Sequence, residues 1–138
     1  MFSLDAGVLE ILVAENDLDM QAFYHAYEQE QAHIHFNIVK NGRLFLERLK
    51  SGYAGWYGAI SDCKMPLLSG IEAIESLRAY EKRYRPGKKL PIAMLTAGDL
   101  DNAERRAKHA GVVDYIVKNG NPLGSIDRAI KSIQSYRP

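Results

Sequence analysis

Residues 57–70 read YGAISDCKMPLLSG, and this stretch decides how the rest of the chain is interpreted. A short apolar run at 58–61 places one carboxylate, Asp62, at its end, and a Met-Pro pair and a Ser-Gly pair then turn the chain into a helical pattern. The order is therefore strand, acidic residue, loop and helix. In an open parallel sheet the ligand crevice lies outside the carboxyl ends of the strands, so Asp62 is positioned for chemistry. Taken alone, the segment fits equally well an Asp that only begins a loop.

The composition is that of one soluble globular domain. The 138 residues are 46% hydrophobic and 25% charged, which is enough for one core and leaves no room for a second domain. We expect a single domain over 1–138, with its core at about 8–136. The 18 basic and 17 acidic side chains give a net charge of +1. Because a DNA-binding module would show a surplus of basic residues, we expect no DNA binding by this domain. The single cysteine, Cys63, is expected to be a small packing residue.

Neither a secretory signal nor a membrane span is predicted. Residues 1–16 lack the basic region, the long apolar segment and the small-residue cleavage site of a signal peptide. No apolar run approaches the roughly 20 residues that are needed to cross a bilayer. We therefore expect a cytoplasmic protein that makes no membrane contact.

Five apolar or alternating runs predict the strands of a parallel sheet, and helical patterns follow them. The predicted strands are 8–14, 33–39, 58–61, 91–95 and 112–117. The predicted buried faces of the helices are Met20, Phe23, Tyr24 and Tyr27; Leu46 or Phe45 with Leu49; Ile71, Ile74, Leu77 and Tyr80; Ala103, Ala107 and Ala110, in a helix from about Leu100; and Leu123, Ile126, Ile130 and Ile133. This alternation predicts an α/β sheet with right-handed crossovers.

Two other features carry functional hypotheses. His33 and His35 share one side of an edge strand and could chelate a metal, but no Cys or further His stands nearby to complete a site. Residues 81–89 (EKRYRPGKK) are predicted to form a basic loop closed by Pro-Gly. This loop could bind a phosphate-bearing or acidic partner, although a surface charge run is usually only solvated.

Polar residues collect at the ends of the predicted strands. They are Glu15, Asn16 and Asp17 after the first strand, Asp62 after the third, Thr96 after the fourth and Lys118 after the fifth. Chance can put polar residues at strand ends, because strands must emerge into loops. Chance explains less easily why one edge of the sheet carries two acidic clusters, a hydroxyl and an amine.

Four segments occur in an order and spacing that match a known family. They are Glu15-Asn16 after ILVA, DCKMP at 62–66 with Gly70, Thr96-Ala97 after PIAML, and DYIVK at 114–118. The chain thereby resembles the receiver domain of two-component response regulators, of the chemotaxis-receiver type, over about residues 8–136. The resemblance implies a flavodoxin-like, doubly wound sheet of five parallel strands in the order 2-1-3-4-5. It also implies a phosphoacceptor signalling domain and not an enzyme.

The resemblance gives a role to each residue at this edge. Asp62 resembles the phosphoacceptor that takes a phosphoryl group from a sensor histidine kinase or a phosphotransfer protein, and Thr96 and Lys118 resemble the residues that contact that group. The ligands implied for Mg²⁺ are Glu15, Asn16, Asp62 and the backbone carbonyl of Lys64, with Asp17 as an additional candidate. Thr96 and Tyr115 resemble the switch pair. The fourth helix, fifth strand and fifth helix are the implied docking face for an unknown downstream protein.

Two residues depart from the family's pattern. Asn16 replaces the usual second acidic residue, so Mg²⁺ is expected to bind more weakly unless Asp17 reaches it. Asn119 replaces the usual proline, so the Lys118-Asn119 bond is expected to be either trans in a reshaped loop or strained. Both departures keep open a second hypothesis, a receiver-like interaction domain that works with little or no phosphorylation. A nucleotide-using enzyme of flavodoxin-like fold fits less well, because no glycine-rich loop follows the first strand.

Overall fold

The computed structural model describes residues 7–98 and 102–136. Its strands are β1 Leu9–Ala14, β2 Ile34–Val39, β3 Gly58–Ser61, β4 Ile92–Thr96 and β5 Asp114–Val117, and its helices are α1 Leu18–Glu30, α2 Gly42–Ser51, α3 Gly70–Tyr84, α4 Ala103–His109 and α5 Pro122–Ser135. A short 3₁₀ turn, Tyr53–Gly55, follows α2. The strands form one parallel sheet in the order β2-β1-β3-β4-β5, so the predicted fold is confirmed. The predicted helix start at Leu100 lies outside the described residues.

The sheet is covered by helices on both faces, which explains its apolar strands. On one face, Leu12, Ala59 and Met94 belong to a core that includes residues of α2, α3 and α4. On the other face, side chains of α1 and α5 pack against alternate residues of the same strands, such as Val13 and Ile60. Every residue of β3 and β4 is buried. A strand buried on both sides must be apolar throughout, and this is why the sequence reveals it so clearly.

Side-chain caps fix where most of the helices begin. The side chains of Asp17, Asn41, Ser69 and Asn121 accept hydrogen bonds from backbone N–H groups in the first turns of α1, α2, α3 and α5, respectively. Asn102, which precedes α4, makes no such bond. The predicted alanine stripe of α4 is confirmed, because Ala103, Ala107 and Ala110 are all buried. Alanine methyl groups remove little area from water, so the packing of α4 contributes little stabilisation.

The buried faces of the other helices are narrower than predicted. Phe23 is 37% and Leu123 is 42% exposed, so the prediction that both are buried is wrong. Phe23 lies at the side of the stripe that Met20, Tyr24 and Tyr27 form, and Leu123 lies in the first turn of α5. In α2 the buried pair is Phe45 with Leu49, one of the two predicted alternatives. No helix within the described residues is both long and apolar enough to cross a membrane.

Residues 81–84 belong to α3, so the prediction of a loop over all of 81–89 is wrong for its first half. The helix extends over these residues because Glu81 is buried, with only 3% of its surface exposed. Its carboxylate accepts hydrogen bonds from the Tyr53 hydroxyl at 2.5 Å and from the Leu90 N–H at 2.6 Å. The Arg78 guanidinium pairs with the same carboxylate at 3.0 Å. These contacts hold the last turn of the helix against the core.

Candidate functional site

Three charged side chains meet at the carboxyl edge of the sheet. Ala14 of β1 pairs with Ser61 of β3, so the next residues, Glu15 and Asp62, emerge side by side. Glu15 is 1% and Asp62 is 9% exposed. The Nζ of Lys118, which follows β5, lies 3.0 Å from Asp62 Oδ2 and 3.2 Å from Glu15 Oε1. One ammonium group therefore bridges two buried carboxylates, and the structure brings these three predicted residues together.

Backbone contacts fix the position of Asp62. Its own N–H donates to the Ala14 carbonyl at 3.0 Å, and its Oδ1 accepts the Cys63 N–H at 2.6 Å. Gly70 is required beside it, because a Cβ at that position would lie 1.9 Å from the Asp62 carbonyl oxygen. Sequence reasoning missed the Cys63 donor, since a backbone N–H leaves no signature in residue type. The Cys63 side chain itself is buried in the core, as predicted.

The cluster holds two carboxylates and one ammonium group, and the pKa values of Glu15 and Lys118 are both shifted. The pKa of Glu15 is raised from its ordinary 4.5 to about 7, mainly by burial and then by the charge of Asp62, while Lys118 opposes the shift. Burial lowers the pKa of Lys118, but the charges of Asp62 and Glu15 outweigh that effect and the net shift is upward. A single ammonium group thus compensates only part of the repulsion between two carboxylates.

We predict a pH-dependent stability from Glu15. Because its folded-state pKa is raised, its stabilising contribution is complete below about pH 4.5 and is lost as the pH rises through about 7. In chelator-containing buffer, Glu15→Gln is expected to remove about 2 kcal/mol of the pH-dependent change in unfolding free energy between pH 4.5 and 8. Urea denaturation across this range measures the effect. The exposed Glu47→Gln is the control, and identical pH profiles for Glu15→Gln and the wild type would contradict the prediction.

The other predicted site residues lie on β4, on β5 and in the loops after β1 and β3. Thr96 ends β4 and is 2% exposed, and its carbonyl accepts the Lys118 N–H at 2.7 Å. Tyr115 pairs with Met94 across β4 and β5 and is half-buried against the α2–α3–α4 core. Asn16 and Lys64 are exposed in the loops after β1 and β3. The roles of Asn16 and Lys64 as Mg²⁺ ligands and of Thr96 and Tyr115 as the switch pair stay predictions.

Asp17 and Asn119 shape the loops of the site. The Asp17 side chain accepts the Asp19 N–H at 3.2 Å, so it serves first as the cap of α1. Every peptide bond among the described residues is trans, including the one after Lys118. Of the two expectations for that bond, the trans loop is the one found. The Asn119 side chain accepts the Asn121 N–H at 2.7 Å and so determines the shape of this loop.

The histidine pair does not form a metal site. His35 Nδ1 lies 2.7 Å from Glu10 Oε1, and the same oxygen accepts a hydrogen bond from Asn37 at 2.8 Å. Across residues 7–98 and 102–136, no group of three or more His, Cys, Asp or Glu side chains is arranged to hold a metal ion. The Mg²⁺ ligands implied at the Asp62 cluster include an amide and a backbone carbonyl, which lie outside these residue types, so that site stays a prediction.

A doubly wound sheet with a buried aspartate, a second acid and a lysine at its carboxyl edge defines a receiver-type signalling domain. The family model of the response regulator receiver domain matches residues 11–129. The chain therefore belongs to this family, as its resemblance predicted.

Comparison with solved structures agrees with this assignment. The receiver domain of Saccharomyces cerevisiae Ssk1, co-crystallised with the histidine phosphotransfer protein Ypd1, matches with a TM-score of 0.77 and 25% identity, covering 94% of this chain and 93% of that chain. The receiver domain of the Pseudomonas aeruginosa sensor histidine kinase PA1611, solved with magnesium in its active site cleft, matches with a TM-score of 0.72 and 23% identity, over 93% and 99% of the two chains. At that identity the second match shows the fold alone.

Two curated relatives are similar in sequence. The oxidative stress response two-component system protein SSK1 of Candida albicans is 34% identical over 79 residues, which are 57% of this chain and 11% of that protein. The osmolarity two-component system protein SSK1 of Saccharomyces cerevisiae is 25% identical over 135 residues, covering 82% of this chain and 18% of that protein. The chain thus spans less than a fifth of the length of either relative.

Proposed function

We propose that this receiver domain takes a phosphoryl group onto Asp62 from a phosphohistidine, and that the added charge changes which protein it binds. The observation that carries the proposal is the Asp62 carboxylate, with Oδ1 held by the main chain at 2.6 Å and Oδ2 paired to a lysine at 3.0 Å. In the reaction Oδ2 bonds to phosphorus while the bond from phosphorus to the histidine nitrogen breaks. The imidazole leaves with that electron pair and takes up a proton, and an acyl phosphate remains on Asp62.

Lys118 and Thr96 would stabilise the transferred group. The ammonium of Lys118 already lies at the Oδ2 side of Asp62, so it can pair with a phosphoryl oxygen without a large movement. The Thr96 hydroxyl, at the end of the neighbouring strand, would donate to a second oxygen. The phosphoryl group adds roughly −1.5 to −2 charges, which is sufficient to bias a two-state element built on Thr96 and Tyr115.

The donor set suits Mg²⁺. Glu15 and Asp62 are hard oxygen donors whose mutual repulsion raises the pKa of Glu15, and a divalent cation beside them would relieve that repulsion. Asn16 and the Lys64 carbonyl would add neutral oxygens. When bound, the cation supplies positive charge that offsets the repulsion between the carboxylates and an incoming phosphoryl group.

We predict that Asn16→Asp strengthens Mg²⁺ binding by about tenfold, because it adds a charged ligand where an amide stands now. Isothermal titration with MgCl₂ measures the change. Asp17→Asn is the matched control, since asparagine keeps the helix cap but removes the charge. Unchanged affinity in Asn16→Asp would refute this account of residue 16. A loss of Mg²⁺ affinity in Asp17→Asn would show that Asp17 is a ligand in place of Asn16.

Partners are proposed by analogy with the relatives. The Ssk1 receiver domain binds Ypd1 in its co-crystal, so we propose a phosphotransfer protein of that kind, in the cytoplasm, as the donor. The face formed by α4, β5 and α5 is proposed to dock the downstream protein. Its support is the thin alanine packing of α4, which favours a shift between two arrangements.

Phosphorylation of the wild-type chain tests the function directly. Incubation with acetyl phosphate and Mg²⁺ is expected to raise the intact mass by one phosphate, and peptide mapping is expected to find the label on the peptide that contains Asp62. Added EDTA should prevent the modification. A chain that stays unmodified across millimolar Mg²⁺, yet still binds the phosphotransfer protein, would favour the phosphorylation-independent interaction domain.

A further inference from the structure

A second candidate site lies at the amino edge of the sheet, opposite Asp62. A cavity of about 360 Å³ opens beside the residues that precede β3 and β4. Its lining residues include three aromatic and three cationic ones, which are Tyr53, Trp56, Tyr57, Arg85, Lys88 and Lys89. The Lys89 Nζ itself lies beside Gly111, which does not line this cavity. These six residues are called the amino-edge groove below. The groove contains the second half of the basic segment 81–89, which the proposed function leaves without a role.

The cations of the groove stand on a fixed turn. The Lys88 N–H donates to the Arg85 carbonyl at 2.9 Å, and Gly87 between them has a φ of 82°, as a type II turn requires. The turn is anchored by Glu81, whose carbonyl accepts the Arg85 N–H at 2.7 Å and whose carboxylate accepts the Leu90 N–H at 2.6 Å. Arg85 and Lys88 are therefore held near each other before any ligand binds.

The aromatic wall is also held in place. The Tyr53 hydroxyl donates to the buried Glu81 carboxylate, and the Arg85 guanidinium lies 5.2 Å from the centre of the Tyr53 ring. The Trp56 Nε1–H donates to the Arg48 carbonyl at 3.0 Å, which orients the indole. Tyr57 is 37% exposed. The groove thus offers flat apolar surfaces next to positive charge.

The positive charge of the groove is not neutralised locally. Over residues 7–98 and 102–136, Arg85, Lys88 and Lys89 form no ion pair with a carboxylate. Glu81, the acid that anchors the turn, is already paired with Arg78 at 3.0 Å. The acids of the phosphoryl site lie at the other edge of the sheet. The nearby acids Glu10 and Asp114 are paired with His35 and Arg128, respectively. A negatively charged ligand is therefore attracted to Arg85 and Lys88.

We propose that the amino-edge groove binds an acidic peptide segment of a partner protein. Carboxylates of the segment pair with Arg85 and Lys88, and one apolar or aromatic side chain enters the cavity between the aromatic rings. The volume is that of a small-ligand pocket and accommodates a single large side chain with its flanks. The net charge of +1 disfavours nucleic acid as the occupant. Because the groove and Asp62 lie at opposite edges, both can be occupied at once, and the proposal does not depend on phosphorylation.

Trp56 provides a direct readout, because it is the only tryptophan in the chain and lines the groove. The probe is a short peptide of Asp and Glu with one central Phe, titrated while the intrinsic fluorescence is followed. Saturable quenching or a spectral shift is expected, together with weakening at higher NaCl. The same peptide with Asn and Gln in place of the acids is expected to bind at least about tenfold more weakly.

Two matched double variants locate the binding. Arg85→Gln/Lys88→Gln is expected to weaken the acidic peptide by about tenfold. Lys40→Gln/Arg43→Gln removes the same two charges from the exposed region after β2 and is expected to leave the affinity unchanged. Thermal melts confirm that both variants fold.

Four results would overturn the proposal. They are no saturable binding of the acidic peptide, equal binding of its amide version, equal weakening by the two double variants, and tighter binding of oligothymidylate than of the peptide. The last result would assign the groove to single-stranded nucleic acid.

Discussion

Asp62→Asn is expected to abolish phosphoryl uptake from acetyl phosphate, with a rate lower by on the order of 10³-fold or more. An amide is a far weaker nucleophile than a carboxylate and cannot form the acyl phosphate. The substitution keeps the size of the side chain and an oxygen that can accept the Cys63 N–H. Intact-mass measurement over a time course with acetyl phosphate and Mg²⁺ measures the loss.

A second carboxylate serves as the control for Asp62. Asp114 is also paired to a cation, with Arg128 at 2.8 Å, but it begins β5 at the amino edge of the sheet. Asp114→Asn is expected to take up phosphate at the wild-type rate. If Asp62→Asn retains the modification, another residue is the acceptor and the proposed function is wrong.

The Asp62→Asn variant also changes the environment of Glu15. The Asp62 charge is one of the causes that raise the pKa of Glu15, so its removal is expected to lower that pKa. The loss of stability on raising the pH through 7 should then be smaller in Asp62→Asn than in the wild type. This readout is independent of phosphorylation. It therefore separates a damaged site from a site that has only lost its nucleophile.

The strands and the residues that follow them were predictable from local patterns, whereas the strand order 2-1-3-4-5 was implied by the family resemblance. The strands β3 and β4 are buried on both faces, so their sequences are continuous apolar runs that need no partner to be recognised. In a parallel sheet all carboxyl ends meet at one edge, so reading the residue after each strand already collects Asp62 and Lys118. The 3.0 Å contact between them follows from topology and not from any nearby motif.

The errors arise where tertiary contacts override the local pattern. Helical periodicity identifies the side of α1 that faces the sheet, but not how wide the covered stripe is, and Phe23 lies at its margin. Glu81 is a charged residue in a charged run, which suggests a solvated loop. It is buried because Tyr53 and Arg78 supply partners, and the partnership with Tyr53 cannot be read from the sequence around Glu81.

Arg78→Leu is expected to destabilise the domain by about 3–5 kcal/mol, because it leaves the buried Glu81 carboxylate without its counter-charge. The Arg78 guanidinium, on a side chain that is 16% exposed, donates to Glu81 at 3.0 Å and to the Leu90 carbonyl at 3.0 Å. It also donates to the carbonyls of Ala110 and Gly111, at 2.8 and 3.1 Å, and so ties the end of α4 to α3. Urea denaturation measures the change in unfolding free energy.

Arg106→Leu is the matched control, because Arg106 also joins α4 to α3, through an exposed pair with Glu75 at 2.7 Å. Exposed pairs contribute little, so this variant is expected to lose far less stability than Arg78→Leu. Similar losses in both single variants would contradict the role assigned to Arg78. In the double variant Arg78→Leu/Glu81→Gln no buried charge is left uncompensated, so it should be more stable than Arg78→Leu alone. Its remaining deficit would then measure what the guanidinium contributes by holding the Ala110 and Gly111 carbonyls, a contact that the alanine packing of α4 cannot replace.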